Sequence, residues 1–180
     1  MSPSDNAHIK EHKNTAQDVK SSAFLSDVLA KLFEGDDLAS LTEQTALAFL
    51  DLLTAALVAD GYPEQEEVEA FRAQVELLPF IPDDRAFVKA RVEQTIATLQ
   101  RLTEHEATAH FARVAQPIEA GHMRARAFRM AVIVSHADFA ITRNEHALLK
   151  HIAQGLGLDP QRAADMIQDV RTQHEEGLLF

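Results

Sequence analysis

The sequence predicts an all-α fold, a single bundle of about seven helices, and three observations carry that expectation. Ala and Leu dominate a chain of 180 residues that has only 6 Gly, 6 Pro and 6% aromatic residues, a balance that favours helix over sheet. Apolar side chains recur at three- and four-residue steps in segment after segment. The turn Ala59-Asp60-Gly61-Tyr62-Pro63-Glu64-Gln65-Glu66-Glu67 also has a counterpart downstream: placing Asp60 over Asp138 puts Ala59 over Ala137, Glu67 over Glu145, Phe71 over Leu149, Arg72 over Lys150 and Leu78 over Leu156. The chain therefore reads as two related helix-turn-helix units.

Residues 1–20 are polar, lack the apolar central run of a signal peptide, and read as a disordered tail before one domain over 21–180. From Ser21 and Ser22, the spacing of Phe24, Leu25, Val28, Leu29 and Leu32 predicts a first helix, closed by Gly35-Asp36-Asp37. Ser40-Leu41-Thr42-Glu43 has the form of a capping box, and the helix it opens, from Leu41 to about Asp60, is apolar around much of its surface. Asp60-Gly61 should stop that helix, with Gly61 in the left-handed position and Pro63 in the first turn of a helix running to Leu78.

Asp83 or Asp84 can cap the next helix, which carries Phe87, Val88, Val92, Ile96 and Leu99. Thr103-Glu104-His105-Glu106 is a further capping box, and the helix it opens should end before Pro117. An apolar helix from about Met123 to Asp138 then corresponds to the one over Leu41–Asp60. Thr142-Arg143-Asn144-Glu145 caps a helix ending in Gly155-Leu156-Gly157, and Asp159-Pro160 opens the last, through about His174.

With 28 acids against 17 Lys and Arg, the formal charge of −11 disfavours nucleic acid and anionic membranes and favours cations or basic protein partners. No run approaches the roughly 18 to 20 apolar residues of a spanning helix. The absence of Cys removes disulfides, thiolate metal sites and Cys nucleophiles, and accords with a reducing, cytoplasmic setting.

The acidity of the turns admits two readings. In the first, Asp60 and Asp138 turn over to cap the following helices, while Glu67 and Glu145 are first-turn acids, Glu145 paired with Thr142. In the second, the carboxylates hold a hard cation weakly. Ca²⁺ takes about six to eight oxygens in irregular geometry and Mg²⁺ keeps more of its waters, so Asp60, Glu64, Glu66 and Glu67 with main-chain carbonyls can supply part of a shell, extended by Asp138 and Glu145 if the turns meet. The alternating ligands of an EF-hand loop are missing.

An apolar helix followed by Ala59-Asp60-Gly61, with Glu67 seven positions after the aspartate, then a second unit with Ala137-Asp138, Glu145 and Leu156-Gly157-Leu158, resembles the TerB-like domain of bacterial tellurite-resistance proteins over about residues 41–173. Related domains stand beside a J-domain in co-chaperones; no His-Pro-Asp tripeptide occurs here. The resemblance implies a non-enzymatic helical domain, an acidic surface proposed to bind metal at Asp60, Glu67, Asp138 and Glu145, and a role in tellurite and stress resistance alongside other resistance proteins. Phe139 departs from the family's glycine.

Other constellations give little chemistry. His105 and His110 lie five residues apart, about 140° around a helix, instead of the four that a zinc-protease helix needs. Glu106 and His110 have the spacing of a surface pair. His136, His146 and His151 flank the second turn and read as partner-bonded histidines before metal ligands. Arg124, Arg126 and Arg129 form a basic stripe suited to solvent or to an internal contact with the acidic turn. No phosphate loop or nucleophile elbow is present.

Overall fold

A computed structural model describes residues 41–59, 61, 63–119, 121–135 and 142–177. These residues form seven helices and no strand: α1 Glu43–Leu57, α2 Gln65–Val75, α3 Arg85–Leu99, α4 Glu104–Val114, α5 Gly121–Ser135, α6 Arg143–Gly155 and α7 Pro160–Glu175. The helix predicted from Ser21 lies outside the described residues.

Local chemistry sets most of the boundaries. Asp84 accepts the amide of Phe87 at 3.0 Å to open α3, and Asp159 accepts that of Arg162 at 3.0 Å to open α7 with Pro160 in its first turn. Two starts differ from expectation. α1 is capped by Thr42, not Ser40: its hydroxyl accepts the Thr45 amide at 3.2 Å. The Thr45 hydroxyl in turn donates to the Pro117 carbonyl at 2.9 Å, which fixes the start of α1 against the α4–α5 connection. α2 begins after Pro63 because its cap is Glu64, whose amide donates to Glu67 at 2.8 Å; proline has no amide to donate.

α1 and α5 are the central pair, packed on each other, and Phe49, Leu50, Leu52, Leu53, Phe128, Met130, Ala131 and Val132 are wholly buried there. α4 and α6 pack closely against each other. A Cβ on Gly155 would lie 2.4 Å from the Cβ of Phe111 and 2.7 Å from the Ala112 nitrogen, so this glycine is set by packing, while Gly157, with φ +67°, makes the turn that follows α6. No described helix is long and apolar enough to cross a membrane.

The internal repeat is larger than two helices. Glu43 to Gly121, Leu57 to Ser135 and Gln65 to Arg143 are all steps of 78, so both ends of α1 and the start of α2 recur at those of α5 and α6. The same step carries Pro82 to Pro160 and the fully buried Val92 to the fully buried Val170. The repeating unit is thus α1-α2-α3 and again α5-α6-α7, with α4 inserted between.

Candidate interaction site at the acidic helix start

The chain leaves α1 through Gly61, whose φ of +150° lies in a region that only glycine enters easily, although not in the left-handed helical basin expected for it. It then reaches the start of α2, where Glu64, Glu66, Glu67 and Glu69 are all exposed. Glu67 Oε2 accepts the Glu64 amide in a capping box, and Gln65 Nε2 donates to Glu69 Oε1 at 3.0 Å. Four acids therefore stand around the first turn of one helix, where its unpaired amides favour negative charge.

The second unit repeats the cap with different surroundings. Thr142 Oγ1 accepts the Glu145 amide at 3.2 Å and Glu145 Oε2 accepts the Thr142 amide, with Glu145 only 6% exposed. Glu64 and Thr142 occupy the same cap position, and Glu67 and Glu145 the same third position, one step of 78 apart. Around Glu145 the exposed residues are Thr142, Arg143, Asn144, His146, Ala147 and Lys150, none of them acidic, so the acidity of the first unit is not shared.

Of the residues proposed as cation ligands, Glu64, Glu66, Glu67 and Glu145 are described, and Asp60 and Asp138 lie outside the described residues, as does His136. Among the described residues no three His, Asp or Glu side chains come together in a way that holds a metal ion. Glu67 and Glu145 each have one carboxylate oxygen engaged by a main-chain amide.

Several of the other polar residues have internal partners. Glu106 takes the Thr103 amide at 3.0 Å and the Thr103 hydroxyl at 2.6 Å, and these hydrogen bonds hold its carboxyl below the ordinary range. His110 is half-buried, and burial lowers its pKa, with the nearby charge of Arg113 acting in the same sense and Asp51 opposing both. His151 Nδ1 lies 2.9 Å from the Thr108 hydroxyl; because that hydroxyl donates to Gln154 Oε1 at 3.1 Å, the ring supplies the proton of the first contact. The arginine stripe is used inside the molecule, away from the acidic turn. Arg124 donates to the carbonyls of Ile118 and Leu156, and Arg129 donates to Asp169 and Gln173.

One polar cluster was missed by the sequence reading. Asp51, 7% exposed at the centre of α1, accepts Arg91 Nε at 2.8 Å, Arg91 Nη2 at 2.5 Å and the Thr95 hydroxyl at 2.8 Å. These bonds tie α3 to α1 and raise the Arg91 pKa further, chiefly through the Asp51 hydrogen bond. The signal was a lone aspartate within Phe49-Leu50-Asp51-Leu52-Leu53.

The chain matches no family model, no curated protein and no solved structure.

Proposed function

We propose that the chain is a non-enzymatic helical interaction module of the TerB-like kind, which recognises a basic protein partner through the exposed acids at the start of α2. The observation that carries this reading is the difference between two equivalent helix starts. Both use a glutamate to cap the helix, so capping explains Glu67 and Glu145. Capping also gives Glu64 a role, as the cap residue equivalent to Thr142, but it does not explain why Glu66 and Glu69 flank the first cap while Asn144 and Ala147 occupy the same places in the second. Extra exposed acids at a helix N-terminus favour a cationic ligand, and acids that, among the described residues, do not converge suit a spread basic surface better than a single ion.

A weak divalent cation, Ca²⁺ or Mg²⁺, is the second reading. It rests on the common Asp-to-Glu spacing of the two turns and requires Asp60 and Asp138 to complete a shell with Glu64, Glu66, Glu67 and Glu145. By the TerB-like resemblance, the partner would be another stress-resistance protein and the setting tellurite or a related stress.

Calorimetry separates these readings. An arginine- and lysine-rich peptide is expected to bind the full chain, weaken with salt over the range of the Debye length, and be lost in Glu64→Lys/Glu66→Lys. Ca²⁺ at millimolar concentration should give neither heat nor a change in melting temperature. Binding of Ca²⁺ that Asp60→Ala abolishes would transfer the function to the cation; no binding of either ligand would remove the acidic surface as the site.

A further inference from the structure

The two units contain equivalent polar clamps with the charges exchanged. The step of 78 carries Asp51 to Arg129, Arg91 to Asp169 and Thr95 to Gln173. In the first unit Asp51 on α1 accepts Arg91 and Thr95 from α3, which lie 40 and 44 positions further on. In the second, Arg129 on α5 donates to Asp169 at 2.6 Å and to Gln173 at 2.8 Å on α7, again 40 and 44 positions further on. The architecture is the same in both, and the sign is reversed.

We propose that this reversal is a pairing code that assigns the third helix of each unit to its own first helix. Apolar packing alone gives weak discrimination, because α3 and α7 present equivalent buried valines, Val92 and Val170, to first helices that pack against each other. Exchange of α3 and α7 would set Arg91 against Arg129 and Asp169 against Asp51. Both contacts would then join like charges at sites where each grip now relies on opposite ones. The code acts on exchange between the two units, whether inside one chain or between two. The more buried half is the first unit, where the Asp51 and Arg91 side chains are 9% and 34% exposed, against 50% and 23% for Asp169 and Arg129.

The test uses the full-length chain and three variants. Arg91→Asp/Asp169→Arg reverses both third helices, Asp51→Arg/Arg129→Asp reverses both first helices, and the combination of all four restores opposite charges in each unit. Folding equilibria are read from urea unfolding followed by helical circular dichroism. Each double variant is expected to lose at least about tenfold in its folding constant, since it places like charges together in both clamps. The quadruple variant should recover to within about threefold of the parent if the pairs act as coupled units. Because each double variant gives opposite charges to the exchanged pairing, it should also form an exchanged dimer on size-exclusion chromatography that the parent and the quadruple variant do not form. A quadruple variant no more stable than the doubles, or doubles that stay monomeric and as stable as the parent, would overturn the proposal. If a double variant does not fold at all, the comparison of the quadruple with the parent still decides.

Discussion

Replacing Asp51 by alanine removes the acceptor for three hydrogen bonds and one ionic charge at the centre of the α1–α3 contact. Breaking a fully buried ion pair on one side costs about 3–5 kcal/mol, because the remaining charge is left uncompensated. Here the Arg91 side chain is 34% exposed and can recover part of its hydration, which places its share near about 2–3 kcal/mol. Thr95, 7% exposed, loses its acceptor for about 1 kcal/mol more. The expected loss of about 3–4 kcal/mol is large against the roughly 5–15 kcal/mol of an ordinary domain. At a urea slope of about 1–3 kcal/mol per molar, it moves the midpoint by about 1–4 M. The control is Asp51→Leu/Arg91→Met, which removes both charges and should lose less than Asp51→Ala, since no guanidinium is stranded. An Asp51→Ala midpoint within about 0.3 M of the parent would refute the reasoning.

Gly155→Ala should cost about 1–3 kcal/mol, because its methyl would meet Phe111 and the Ala112 backbone, whereas Gly121→Ala, with nothing within 4 Å, should be neutral or slightly stabilising; thermal melts compare them. His110 has a lowered folded-state pKa, so the unfolded chain binds its proton more readily. The stability it contributes is complete above its ordinary value of 6.5 and declines as pH falls through 6.5 toward the lowered value, a slope that His110→Phe should reduce in urea midpoints measured from pH 7.5 to 5. For Glu106, with its carboxyl held below 4.5, the contribution is complete above 4.5 and declines as pH falls through the lowered value. NMR titration of Thr103→Ala should show that carboxyl returning toward 4.5.

Helices whose starts carry a hydroxyl or carboxylate before an apolar period were readable from sequence, because capping is local chemistry. Thr103, Thr142 and Asp159 head their helices where the pattern placed them. Local rules failed where two neighbouring residues competed for one role. Ser40 and Thr42 both suit a cap by residue type; Thr42 takes the role, its hydroxyl accepting the Thr45 amide while the Thr45 hydroxyl is tied to Pro117. Pro63 and Glu64 competed likewise, and the need for a donating amide decided for Glu64. The extension of the repeat into α3 and α7 escaped notice for a different reason. A charge-reversed pair conserves the interaction and not the residue types, so matching Asp51 to Arg129 looks like divergence until the Arg91 and Asp169 partners are seen in space. Thr108 and His151 were similarly invisible as a pair, since their contact crosses from α4 to α6.

What the two units share therefore marks architecture, and what they do not share marks the surface on which function can differ. Caps at Glu67 and Glu145, buried valines at Val92 and Val170, and opposed ion pairs between first and third helices all recur, so each has a sufficient structural cause in both halves. The excess of carboxylates at the start of α2 does not recur: the corresponding turn of α6 exposes Arg143, Asn144 and His146 instead. Like charges gathered at one helix start repel one another, while the helix N-terminus favours them. Their presence in one unit alone, which the fold common to both units does not require, is the ground on which a basic partner of that unit is proposed.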